Sequence, residues 1–223
     1  MIEVKNISKA FEGKVIIDDI TAQFKPGICN LIIGTSGSGK TVLTKCIVDL
    51  IAADKGKIFF DGEELHSMTK EERKELRNNI GMLFQGNALF DSKTVEENVR
   101  FPLDMFTDFS LAEKNKTVSE TLARVNLLGV NEKYPAEISG GMKKRVALAR
   151  AIYSKASIAL LDDPLCALDP ALAEEVFRRL MGPAGLLRRA GCSIVLVTGN
   201  PMILAKCDQI LVVEDGTVAG CGV

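Results

Sequence analysis

Apolar and polar positions alternate through Ile2, Val4 and Ile7 and again from Val15 to Phe24, then give way to an apolar run from Ile28 to Ile33 bounded by Pro26-Gly27 and Gly34. Alternation with a period of two predicts half-buried strands, and a short unbroken apolar run between turn residues predicts a buried one. After Lys40 the apolar spacing becomes helical, through Val42, Leu43, Cys46, Ile47 and Leu50, so strand, glycine-rich turn and helix follow one another directly.

The same reading continues along the chain. Lys57 to Phe60 predicts a short strand turned by Asp61-Gly62, Thr69 to Asn78 a charged helix, and Ile80 to Phe84 a strand that ends at Gln85. From about Thr94 to Tyr134 charged and apolar positions interleave at helical spacing, with Pro102 expected to break the run. Gly140 to Ser154 predicts another helix, Ile158 to Leu161 a buried strand, Pro170 the first turn of a helix, and Ile194 to Val197 a further buried strand. Leu211 to Val213 and Thr217 to Ala219, joined by Glu214-Asp215-Gly216, predict a closing hairpin. Apolar strands separated by helices imply an α/β fold whose sheet is covered on both faces. The expected organisation is one domain over 1–223 with a helical subdomain at about 87–150.

Composition narrows the partners. The 28 basic and 29 acidic residues leave a formal charge of -1, so no overall field points to nucleic acid or an acidic membrane. Six scattered cysteines without CxxC spacing, beside a single histidine, His66, argue against a zinc site and read as reduced thiols. The N-terminal residues do not have the pattern of a signal peptide, and no apolar run approaches the ~20 residues that span a bilayer. A role at a membrane would be exercised from outside the lipid.

The candidate chemistry begins at Gly34-Thr35-Ser36-Gly37-Ser38-Gly39-Lys40-Thr41, which fits the phosphate-loop pattern GxxxxGK[ST] in the strand-to-helix setting that pattern requires. Glycines let backbone N–H groups turn toward phosphates at the positive end of the helix; Lys40 reaches the outer phosphates, and the Thr41 hydroxyl can ligate Mg²⁺. Taken alone the segment is also a glycine-rich turn capping a helix. Asp162, delivered by Ile158-Ala159-Leu160-Leu161 to the strand end where ligands of open α/β sheets collect, is a turn or helix cap when taken alone and, paired with the phosphate loop, the expected Mg²⁺ ligand. Ile138-Ser139-Gly140-Gly141-Met142 opens another helix with a hydroxyl and glycine amides, the arrangement of a second phosphate-binding terminus or of an ordinary serine cap.

In this order, phosphate loop, Gln85, Ser139-Gly140-Gly141, Asp162 and Asp169, the chain resembles the nucleotide-binding domain of ATP-binding cassette (ABC) transporters over essentially its whole length. The resemblance implies a P-loop NTPase core with a mixed sheet, an N-terminal antiparallel β subdomain and a helical signature subdomain. It implies Mg-ATP as ligand, bound by residues 34–41 and Val42, with Phe11 stacking on adenine and Gln85 as a metal-sensing and catalytic residue. It further implies that Asp169 belongs to a loop passing between subunits near the attacking water. The expected partners are a second nucleotide-binding domain, with Ser139 of one copy facing Lys40 of the other, and a transmembrane permease, placing the protein in the cytoplasm, peripheral to the inner membrane. Residues 1–155 resemble in particular the ATPase subunits of Mla-type phospholipid transporters, in Asn87-Ala88-Leu89-Phe90-Asp91 and Thr94-Val95-Glu96-Glu97-Asn98-Val99 among other stretches. Residues from Ala156 onward resemble the first nucleotide-binding domain of ABCC exporters, in Asp162-Asp163-Pro164-Leu165-Cys166-Ala167-Leu168-Asp169, which suggests an unusual lineage or an engineered hybrid.

Two positions depart from the family pattern. Asp163 stands where most active members carry a glutamate that polarises the attacking water, and Gly199 stands where a histidine usually contacts the γ-phosphate. Positioning a general base is worth about 10²–10⁴ in rate. Two functions therefore remain from the sequence: a transporter ATPase that moves a lipid or another amphiphile, and a catalytically weak ATP-binding and dimerisation module that regulates a partner or is an engineered chimera. Kinase and GTPase readings leave Ser139-Gly140-Gly141 unexplained.

Overall fold

The computed structural model describes all residues except Gln85, Asn87, Ser154, Lys155, Ala167 and Val223, together with all side chains of the described residues but that of Tyr153. A long hairpin, β1 (Ile2–Phe11) and β2 (Lys14–Phe24), turns at Glu12-Gly13 and leads into β3 (Cys29–Ile33) and α1 (Lys40–Ile47). The chain then returns through β4 (Lys55–Phe60) and β5 (Glu63–Glu64), which complete an antiparallel sheet in the order β2-β1-β4-β5. After α2 (Lys70–Asn78) comes β6 (Ile80–Leu83), then α3 (Val95–Phe106), α4 (Leu111–Arg124) and α5 (Gly140–Tyr153). The last third alternates β7 (Ile158–Asp162), α6 (Pro170–Leu180), α7 (Leu186–Arg189), β8 (Ser193–Val197) and α8 (Pro201–Leu204), and ends in the hairpin of β9 (Gln209–Glu214) and β10 (Thr217–Gly222).

The second sheet is mixed, in the order β10-β9-β3-β8-β7-β6, with β10 the antiparallel edge and the other neighbouring strands parallel. Its central strands are buried on both faces because their side chains alternate between two cores. Ala159, Leu161, Ile194 and Leu196 join the helical core of α3 to α7, whereas Ile158, Leu160, Val195 and Val197 join the core shared with α1 and the antiparallel sheet. This explains the unbroken apolar runs in the sequence.

Three helices begin with reciprocal capping boxes, Thr69 with Glu72, Thr94 with Glu97, and Ser110 with Glu113, so main-chain amides at each start are paired locally. The expected break at Pro102 does not occur, since α3 runs through it to Phe106. A proline inside a helix costs about 3 kcal/mol. Burial of Val95, Val99 and Leu103 against the helical core, with the capping box at Thr94, offsets it. Conversely, α1 closes at Ile47 rather than reaching Leu50: Asp49 takes a left-handed φ of 58° and lies 3.7 and 3.5 Å from the guanidinium groups of Arg73 and Arg77. All six cysteines are free, with Cys29 and Cys207 in contact at 3.6 Å between sulfurs.

Candidate functional site

The glycine-rich loop lies where β3 passes into α1, wedged between neighbouring strands. A Cβ on Gly34 would fall 2.0 Å from the Val213 carbonyl oxygen of β9, and one on Gly39, whose φ is +99°, would fall 2.4 Å from the Ile17 methyl of β2. Close approach and left-handed backbone at those two points admit only glycine. Gly39 caps α1 and has no side chain to bond the first turn, an arrangement suited to an anion at the positive end of the helix.

Thr35, Ser36 and Gly37 are exposed, whereas Ser38 is buried. The Lys40 ammonium donates to the Gly34 and Thr35 carbonyls at 2.9 and 2.7 Å, which folds it back over the loop. Val42 packs its side chain partly against the core, leaving its main chain as the part able to meet a ligand.

The Thr41 hydroxyl ties the loop to the sheet by donating to the Asp162 carboxylate at 2.8 Å. Asp162 ends β7 and is only 5% exposed. Burial pushes its carboxyl above the ordinary range, with Asp163 adding to the rise while the Thr41 bond and the Lys40 and Lys45 charges oppose it. Two hard oxygen donors side by side fit Mg²⁺, which usually takes few protein ligands and completes its shell with water and substrate phosphate oxygens. Among the described residues no cluster of three or more His, Cys, Asp or Glu offers a self-sufficient metal cage.

Asp163 follows with a left-handed φ of 52°, its amide donating to the Val197 carbonyl at 2.8 Å. Its carboxylate accepts from the Thr198 hydroxyl at 3.3 Å, a contact that the sequence reading missed. Only the position of Thr198 at the end of a buried strand hinted at it. Gly199 is exposed and an added Cβ there would meet nothing within 4 Å, so the position offers no side-chain contact but has room for one. Phe11 ends β1 with 42% exposure and has the Lys9 ammonium 5.4 Å from its ring centroid. Gln85, expected at the end of β6, lies outside the described residues. His66 is on the surface, away from the loop's hydrogen bonds.

Ser139 and Gly140 are exposed at the start of α5, with Gly141 half-buried behind them. The Ser139 hydroxyl accepts from the Met142 amide at 3.3 Å, so the serine cap is real. Among the described residues no hydrogen bond joins residues 139–141 to the loop at 34–41. Asp169, expected in an intersubunit loop, is the N-cap of α6, accepting from the Leu172 amide at 2.9 Å.

A phosphate loop between a parallel strand and a helix, coupled to a strand-end aspartate in a mixed sheet, defines a P-loop NTPase domain of the α/β class. Residues 17–166 match the family described as ABC transporter, and the chain belongs to that family. It is 37% identical over 227 residues to the methionine import ATP-binding protein MetN of Carboxydothermus hydrogenoformans, covering 100% of this chain and 66% of that protein. It is 36% identical over 221 residues to MetN 3 of Pectobacterium atrosepticum, covering 97% and 63%. The chain thus spans about two thirds of the length of these relatives. Among solved structures, the dimeric ABC transporter cassette MJ0796 superposes with a TM-score of 0.90 at 28% identity, covering 100% of this chain and 98% of that one. The same cassette in a post-hydrolysis dimer bound to ADP and Pi gives the same score.

The relatives match on both sides of residue 155, so the division into Mla-like and ABCC-like parts finds no support in them, and neither does a phospholipid cargo.

Proposed function

We propose that this chain binds and hydrolyses Mg-ATP as the motor subunit of a membrane transporter, working as a head-to-tail pair of cassettes. The observation that carries this reading is the separation of the two anion-binding helix starts. Lys40 folds over the loop that Thr41 ties to Asp162, while Ser139 and Gly140 are exposed, with no hydrogen bond among the described residues to that site. A second copy turned head to tail brings Ser139, Gly140 and Gly141 against the γ-phosphate held by residues 34–41, and the dimeric form of the similar cassette supports such a pairing.

In this reading Lys40 exchanges its carbonyl partners for the outer phosphates, Phe11 stacks on the base, and Val42 contributes its amide. Mg²⁺, held through Thr41 and Asp162, neutralises phosphate charge when bound. Asp163 accepts the proton of the attacking water, with Gln85 orienting that water. Asp169 stays in the intersubunit contact while capping α6. Closure on ATP and reopening after hydrolysis are passed to a permease. No helix among the described residues is long and apolar enough to cross a membrane. The methionine import role of the relatives makes methionine the cargo to test first.

The test is steady-state ATP hydrolysis with ATP affinity measured in parallel. The wild type is expected to turn over, Lys40→Ala to lose binding and turnover, and Asp163→Asn to bind ATP normally while kcat falls by about 10²-fold or more. Asp163→Asn with ATP should also run as a dimer in light scattering. Binding without turnover in the wild type would refute the motor and leave a dimerising regulatory module.

A further inference from the structure

Thr198 leaves the end of β8 with only 3% exposure, and its hydroxyl is engaged on both sides. It accepts from the Asn200 amide at 3.2 Å and lies 3.3 Å from Asp163 Oδ1. An amide N–H can only donate and an ionised carboxylate can only accept, so the single hydroxyl proton points at Asp163. The residue before it, Val197, takes the Asp163 amide at 2.8 Å. Two consecutive residues at the exit of β8 therefore hold both the main chain and the carboxylate of Asp163. The next residue, Gly199, has no side chain with which to reach a nucleotide.

We infer that Thr198 is the positioning residue for Asp163, and that the segment 198–200 acts on the hydrolytic site through this hydroxyl rather than through a side chain at 199. The inference rests on the reading of Asp163 as the base. A carboxylate one methylene shorter than glutamate reaches less far, so its orientation matters more. The chain of donors from the Asn200 amide through the Thr198 hydroxyl to the carboxylate polarises along its length and fixes that orientation. Asn200 also caps α8 through its side chain, accepting from the Met202 amide at 3.0 Å, so a shift of α8 is passed along the same route.

The experiment compares Thr198→Val, which keeps the shape and removes the hydroxyl, with Thr198→Ser, which keeps the hydroxyl. ATP affinity should stay at the wild-type value in both. In Thr198→Val kcat should fall by about tenfold or more, as expected for loss of a hydrogen bond to a charged group, and Thr198→Ser should recover most of it. Adding Thr198→Val to Asp163→Asn should cost nothing further, because the hydroxyl acts only through that carboxylate. Equal kcat in Thr198→Val and wild type, equal losses in the Val and Ser variants, or additive losses in the double variant each overturn the assignment. Wild-type hydrolysis no faster than that of Lys40→Ala would remove Asp163 as the base and the assignment with it, a failure visible before any change at Thr198. Should Thr198→Val melt early, Thr198→Ala read against Thr198→Ser decides by the same criteria.

Discussion

Asn98 ought to be worth more to this fold than any surface contact of its helix. It is 0% exposed in the first turn of α3, between the core residues Val95 and Val99, and its side chain is spent on the loop before that helix. Its oxygen accepts from the Phe90 amide at 2.8 Å, and its NH₂ group serves the carbonyls of Phe90, Lys93 and Thr94 at 3.0, 3.0 and 2.9 Å. In Asn98→Ala the Phe90 carbonyl keeps the Lys93 amide at 3.1 Å, and the Thr94 carbonyl keeps the amide of residue 98 at 2.9 Å. The Phe90 amide and the Lys93 carbonyl are left without the partner that held them. An orphaned main-chain group costs about 1–3 kcal/mol, and partial access of water to the loop keeps the total to about 2–4 kcal/mol.

For a chain of this size that corresponds to a fall in Tm of about 5–15 °C. Asn98→Asp should be worse, since it faces three carbonyls with a carboxylate in a buried place. Thermal melts followed by circular dichroism measure the loss, and hydrogen exchange of residues 88–94 locates it. Melting of both variants within about 2 °C of wild type would refute the reasoning. The loop concerned also carries Ala88, at a left-handed φ of 43°, whose carbonyl is gripped by Arg150 of α5 at 2.8 Å. It begins three residues after Gln85, so its loosening should reach turnover as well.

Asp162 gives a pH-dependent prediction. Its folded pKa lies above the ordinary 3.8, so between that value and the raised one the native state keeps a proton that the unfolded chain has lost. Without Mg²⁺, the site should destabilise the fold increasingly as pH rises through this window, and fully above it. Asp162→Asn should therefore melt higher than wild type at pH 7 with the gap closing toward pH ~4, and Mg²⁺ should raise the wild-type Tm alone; a gap that widens on acidification contradicts the burial argument. The glycines separate in the same kind of assay. Gly39→Ala combines a φ of +99° with a clash 2.4 Å from Ile17, and should lose about 2–5 kcal/mol along with nucleotide affinity. Gly199→Ala enters open space and should stay within about 0.5 kcal/mol in urea denaturation, so equal midpoint shifts for the two would count against the wedged loop.

The sequence by itself determined the parts of this protein whose physics is local. The period of two in β1 and β2, the unbroken apolar runs of β3, β7 and β8, and the pattern from Gly34 to Thr41 all depend on neighbours in the chain, and they set the glycine-rich loop between β3 and α1 and Asp162 at the end of β7. The four-residue helices α7 and α8 are too short to show a period, and they were not legible. What tertiary structure alone decided lies in contacts between distant segments. Burial of Val95, Val99 and Leu103 carried α3 through Pro102, and arginines of α2 at Asp49 accompany the early end of α1. The Thr41 bond to Asp162 and the Thr198 bond to Asp163 span 121 and 35 residues, distances over which spacing carries no information. The sheet brings these groups within hydrogen-bond reach by setting β7 beside β8, with β8 beside β3.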